Sequence, residues 1–414
     1  MLTRSFTGKH ILHFIFLICC LCACFTTANA QYFDLEEGRR KVTMPFKHVR
    51  NMLVIQLHIN NAGPYNFILD TGVGLMLITE PNLVDSIHLT NKRTVKIPGL
   101  GEGGDAEAFV TPPLNVDIPG LKSYAVSAAI LKKDHFNLSS YVGMPIHGLL
   151  GYEFFNNLAV KINFSDSTVT VCRPADIKML KKGTRIPITV EEKKPYLDAI
   201  VKLTDGTLSI NKLIIDLGAG HPISLDNFIK NKGLPQKFIA ANLGIGLNGP
   251  ISGFISRVAE VDLGNYKIKD VLTSMPGDKN TNTRPSIARD GNLGMDILKR
   301  FTIVFDYTGN AMYLKKGRGF KEPFEHDMSG LEYFGSGKDH KVVIISRVEP
   351  GSPAYDIGLE KDDQIVSINF KPVTEMTLEQ IDNLLRSRDQ RTLLLEIYHD
   401  KVLERVIITL KRRI

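Results

Sequence analysis

Two short segments hold the residues best placed to do chemistry. Asp70-Thr71-Gly72, within NFILDTGVGLMLI at 66–78, and Asp216-Leu217-Gly218, within NKLIIDLGAGHPISL at 211–225, each put one carboxylate between an apolar strand and a glycine-containing turn. A lone carboxylate there costs several kcal/mol unless it is solvated, hydrogen-bonded or used. The surroundings repeat as well. Gly99 opens GLGEGGDAEAF 29 residues after Asp70, and Gly246 opens GLNGPISGFIS 30 residues after Asp216; Gly151 lies 81 residues after Asp70, and Gly294 lies 78 after Asp216. Landmarks in one order at near-constant offset indicate an internal duplication of about 145 residues.

Duplicated units related by a pseudo-two-fold axis would bring both Asp-bearing turns together. At roughly 3 Å two carboxyls do not both ionise readily, so one would be charged and one protonated near working pH. The charged member could polarise a water while the protonated one donates to a carbonyl oxygen, a hydrolysis that needs no metal and no side-chain nucleophile. Gly72 and Gly218 would allow the turns to approach closely, and Thr71 could hydrogen-bond across to the opposite loop. Leu217 has no hydroxyl with which to return that bond. The glycine-rich segments at 99–104 and 244–249, marked by Gly99, Gly101, Gly246 and Gly249, would be hairpins able to cover an extended substrate.

The elements around these loops read as strands. VIQLHI, YNFIL, LMLI and LAVKINF are short apolar or alternating runs bounded by Gly, Asn, Asp or Pro. After MYLKKGRGFKEPF the texture changes to strand, EPGSPA turn, short helix, strand, the helical LEQIDNLLRS and two further strands, which makes a small α+β unit of about 85 residues.

Of the 414 residues, 43% are hydrophobic. The first thirty read as a secretory signal, with basic MLTRSFTGKH, the short apolar ILHFIFLICCLCACF and ANA at 28–30. The mature chain would therefore be exported, to the periplasm or cell envelope or beyond. LCAC at 21–24 is loosely similar to a lipoprotein box, so attachment to a membrane would run through Cys24. Four of the five cysteines lie in this leader, which leaves Cys172 as a structural thiol with no internal disulfide partner. Without the leader, 49 basic residues face 44 acidic ones, interleaved as in DLEEGRRK, which argues against a nucleic-acid partner.

Other motifs carry less. Both hairpins match G-x-G-x-x-G, but neither opens a helix in a βαβ unit, so the dinucleotide reading fails. His147 and His221 lack metal-ligand spacing and read as packing or turn residues. Neither a G-D-S-G-G-like segment nor a G-x-S-x-G elbow is present.

The two D-x-G loops, each followed by an apolar-apolar-Gly element (Leu149, Leu150, Gly151 and, less purely, Asn292, Leu293, Gly294), resemble those of the retropepsin-like and pepsin-like aspartic proteases. VEPGSPAYDIGLEKDDQIVSIN is similar to bacterial PDZ modules, and the whole resembles bacterial aspartyl proteases with a C-terminal PDZ domain. That resemblance implies a mainly β fold: two duplicated aspartic-protease-like lobes of double-psi type at 31–175 and 176–318, then a PDZ domain at 328–414. It implies Asp70 and Asp216 as the catalytic pair, a peptide or protein substrate, and no cofactor. It also implies Gly330, Leu331, Glu332 and Tyr333 as the loop and strand edge that accepts an extended peptide or C-terminus. The chain departs from the family at Val73 and Gly74, at Ala219 and Gly220, and above all at Leu217. The alternative is a protein on the same scaffold without hydrolytic activity, binding peptides through the PDZ groove and the interlobe cleft; Leu217 is the feature that separates the two.

Overall fold

The computed structural model describes residues 32–86, 93–97, 105–247, 249–277, 287–400 and 402–414. The leader with Cys24, and Gly99 and Gly101, lie outside them. The fold is mainly β. In the first lobe the sheet order is Lys47–Val49, Met52–Ile59, Ala62–Leu69, Gly148–Leu150, Met76–Ile78, Ala128–Leu131, Ala106–Val110, Arg93–Ile97. The second lobe repeats it strand for strand with Thr189–Glu191, Lys194–Lys202, Leu208–Ile215, Gly291–Leu293, Ile223–Ser224, Tyr266–Pro276, Gly249–Leu263, Ile239–Gly246.

One parallel pairing in each sheet fixes the Asp-bearing turn. Gly148–Leu150 lies parallel to Phe67–Leu69, and Gly291–Leu293 lies parallel to Leu213–Ile215. These strands are buried on both faces and, Asn292 apart, consist of apolar residues and glycine. A third sheet joins the lobes. Ala159–Asn163 and Phe301–Asp306 pair antiparallel at its centre, flanked by Thr168–Cys172 and Lys41–Pro45 on one side and by Ala311–Lys316 and Thr184–Pro187 on the other. Lys41–Pro45 alternates exposed and buried residues as an outer strand should. A single apolar core, including Phe33, Phe154, Phe155, Phe301 and Phe305, runs through both lobes. Burial of this extent is the main source of stability where, among the described residues, no disulfide contributes. Cys172 is buried, and burial pushes its thiol up to about 11, as suits an inert packing residue.

The C-terminal unit has a core of its own. Its sheet runs Leu331–Ser336, Val342–Val348, Gln364–Ile368, Thr392–His399, Val402–Thr409. Helix Leu378–Leu385 packs on it through Leu378, Ile381 and Leu385, the i, i+3, i+7 stripe of an amphipathic helix, and a Thr377–Gln380 capping box starts it. Among the described residues no helix is long and apolar enough to cross a membrane.

Candidate active site

The two turns are built alike. The Asp70 N–H donates to the Leu150 carbonyl and the Asp216 N–H to the Leu293 carbonyl, both at 2.9 Å. Within each turn the next glycine's N–H donates to the carboxylate: Gly72 to Asp70 Oδ1 at 2.7 Å and Gly218 to Asp216 Oδ1 at 2.9 Å. The turns meet face to face, each glycine lying against the other turn's carboxyl, so that the charge of Asp216 is felt at Asp70. There is no room for a side chain between them: a Cβ on Gly218 would lie 2.3 Å from Asp70 Oδ2, and one on Gly72 would lie 2.9 Å from Asp216 Oδ1.

Thr71 braces the pair. Its hydroxyl donates to the Ile215 carbonyl at 2.6 Å and accepts from the Leu217 N–H at 3.0 Å, so one side chain ties both sides of Asp216 to the opposite loop. Leu217 contributes only that backbone N–H, and its side chain is fully buried in the common core.

Burial, reinforced by the neighbouring Asp216 charge, holds the Asp70 carboxyl well above the usual carboxylate range, against the opposing pull of the Gly72 N–H and Lys194. The hydrogen bonds at Asp216 are those that suit a carboxylate. Asn292 Nδ2, a pure donor, reaches Asp216 Oδ2 at 2.7 Å, while the Gly218 N–H occupies Oδ1. Both oxygens of Asp216 thus accept. Asn292 stands where the first copy has Leu149, each paired with the second-last residue of the strand leading into its Asp. The polar break in an apolar-apolar-Gly element was the available signal for this contact.

Around the two Asp turns, His221 is half-buried, and the loss of solvent lowers its basicity, while Tyr307 stacks on Phe155, its hydroxyl pushed up by burial and by Asp70. His147 accepts from the Asn66 N–H at 3.0 Å and packs on Tyr65, a packing role. Gly246 and Gly249 flank the tip of the second-lobe hairpin, and Leu247 at that tip packs against the first lobe's outer apolar cluster, which includes Val73 and Leu149. The hairpin therefore reaches across to the opposite lobe.

In the C-terminal unit, Gly330 has φ +82° and sits against Ser352. Leu331 and Tyr333 face the core, and Glu332 bonds Arg347 and Asn242. The edge they form is not open: helix Leu138–Val142 of the first lobe lies against it.

An aspartyl protease family model matches residues 55–154, and a PDZ domain model matches residues 344–398. No curated protein matches the chain. Among solved structures, a photosystem II D1 C-terminal processing protease is similar at 22% identity and a TM-score of 0.20, over 21% of this chain and 23% of that one. The alignment spans less than a quarter of that protein's length.

Proposed function

For a chain that joins an aspartyl protease domain to a PDZ domain, we propose an exported aspartic endopeptidase of retropepsin-like type in which Asp70 and Asp216 share one proton and activate water. The observation that carries this reading is the meeting of two equivalent Asp turns, each glycine packed against the other turn's carboxyl and the pair braced by Thr71. Asp216, accepting at both oxygens, is the base that takes a proton from water. The oxygen of that water attacks the peptide carbonyl carbon while the Asp70 proton passes to the carbonyl oxygen. The proton acquired by Asp216 then goes to the leaving nitrogen as the C–N bond breaks and the carbonyl re-forms, which returns the first proton to Asp70. Leu247 at the hairpin tip would cover the bound peptide and exclude water.

Export rests on the basic, then apolar, then A-x-A leader. The one-sided brace, with Leu217 returning no hydroxyl, favours the second reading, a peptide-binding protein without turnover. Incubating the chain from Gln31 with a diverse peptide mixture between about pH 4 and 7.5, which brackets the working range of a shared-proton pair, decides between them by mass spectrometry. Cuts made by wild type and missing from Asp70→Asn and Asp216→Asn establish the protease. Folded protein that cuts nothing refutes it.

A further inference from the structure

The turn Arg50–Asn51 joins strands Lys47–Val49 and Met52–Ile59 and takes no part in the chemistry above. Both residues have left-handed backbones, φ 46° and 62°, which suits a two-residue hairpin turn and sends the side chains apart. Arg50 enters the PDZ domain. Its Nε and Nη2 donate to Asp382 Oδ2 and Oδ1 at 2.8 and 3.0 Å, and Nη1 donates to the Tyr141 carbonyl at 2.6 Å. The guanidinium lies 4.5 Å from the Tyr141 ring and 5.2 Å from the Tyr333 ring. With only 9% and 11% of the two side chains exposed, this forked pair is a desolvated anchor; without Arg50, Asp382 keeps the Tyr333 hydroxyl bond and the nearby Arg386 charge but loses its forked partner. Asn51 faces the other way. Its Nδ2 donates to the Gly220 carbonyl at 2.8 Å, at the end of the Asp216 loop, and its Oδ1 accepts from Lys299 at 2.9 Å.

What Arg50 grips is the groove of the PDZ domain. Strand Leu331–Ser336 is an edge of its sheet and helix Leu378–Leu385 carries Asp382. Helix Leu138–Val142 lies on the strand edge, and the Gly143 that ends it abuts Leu378. A second tie comes from the hairpin over the cleft, where Asn242 Nδ2 donates to Glu332 Oε2 at 3.0 Å. An added peptide strand needs that same edge.

We propose that the Arg50–Asn51 turn is a coupling element: the docked PDZ domain, held by Arg50, keeps Asn51 on Gly220 and so braces the Asp216 loop, and opening the PDZ groove to an extended peptide releases that loop. The groove and the braced loop are then mutually exclusive states, and occupancy of one opposes the other. The effect on turnover rests on the protease reading; the mechanical link does not.

Hydrogen exchange by mass spectrometry on the full chain tests the link without requiring activity. Arg50→Ala and Asp382→Asn should each speed exchange about tenfold, within the usual range of site coupling, both in 331–336 and in 216–221. Asn51→Ala should do so in 216–221 alone, and Glu396→Gln, on the far side of the PDZ sheet, in neither. If the protein cleaves peptides, Arg50→Ala should lower kcat by a similar factor with little change in KM. Faster exchange at 331–336 with 216–221 unmoved would overturn the coupling. Unchanged exchange in both segments, for both variants, would overturn Arg50 as the anchor.

Discussion

Thr71→Val isolates the brace between the two Asp turns, because valine keeps the side-chain shape and removes only the hydroxyl. Two buried backbone groups then lose their partner: the Ile215 carbonyl, now served at 2.6 Å, and the Leu217 N–H, now served at 3.0 Å. A buried polar group left unsatisfied costs about 1–3 kcal/mol, so the change should cost about 2–6 kcal/mol, a large part of the roughly 5–15 kcal/mol that holds a typical domain together. Leu217 is buried and apolar, so no second hydroxyl stands in reserve. A urea titration read by hydrogen exchange in peptides from the two lobes measures this while keeping the separate PDZ core out of the signal. A loss below about 0.5 kcal/mol, within the range of an ordinary surface change, would refute the claim that the hydroxyl carries the brace. The burial of Leu217 also reverses a simple expectation. Restoring the missing hydroxyl with Leu217→Thr looks like an improvement from the sequence, but it removes apolar volume from a packed core, so a net loss of about 2 kcal/mol or more should appear in the same titration.

Further outcomes follow from the same geometry. Gly218→Ala should abolish peptide cleavage, because its Cβ would meet Asp70 Oδ2 at 2.3 Å, whereas Gly220→Ala, with its nearest neighbour at 3.8 Å, should retain most activity in a parallel assay. Asn292→Leu removes a donor from the charged form of the dyad. Ionisation becomes harder, so the acid limb of the pH–activity profile should move to higher pH, and an unmoved limb would show that Asn292 does not orient the proton. Burial pushes the Glu153 carboxyl up from an ordinary 4.5 to about 7. Between these values the unfolded chain has released a proton that the folded chain retains, so stability falls as pH rises through this window, by about 3 kcal/mol in all. Glu153→Gln should therefore stabilise the protein by about that amount at pH 8 and hardly at all at pH 4, as read by denaturation at the two pH values.

Local pattern carried much of the architecture. Strand texture and the twice-used spacing of Asp70, Gly99 and Gly151 against Asp216, Gly246 and Gly294 are properties of adjacent residues and of a copied order, and a linear string preserves both. The PDZ stretch was legible for the same reason, since its turn and strands follow one another directly along the chain. The contacts that make the site asymmetric join distant residues and have no local signature. Asn292 meets Asp216 across 76 positions, and Arg50 meets Asp382 across 332. Only the packed lobes decided that Leu217 lies in the core, that Asn292 rather than a hydroxyl beside the Asp holds the outer carboxylate oxygen, and that helix Leu138–Val142 covers the PDZ edge. Periodicity tells which face of a strand is buried; which partner waits on that face depends on how whole sheets come to rest against each other.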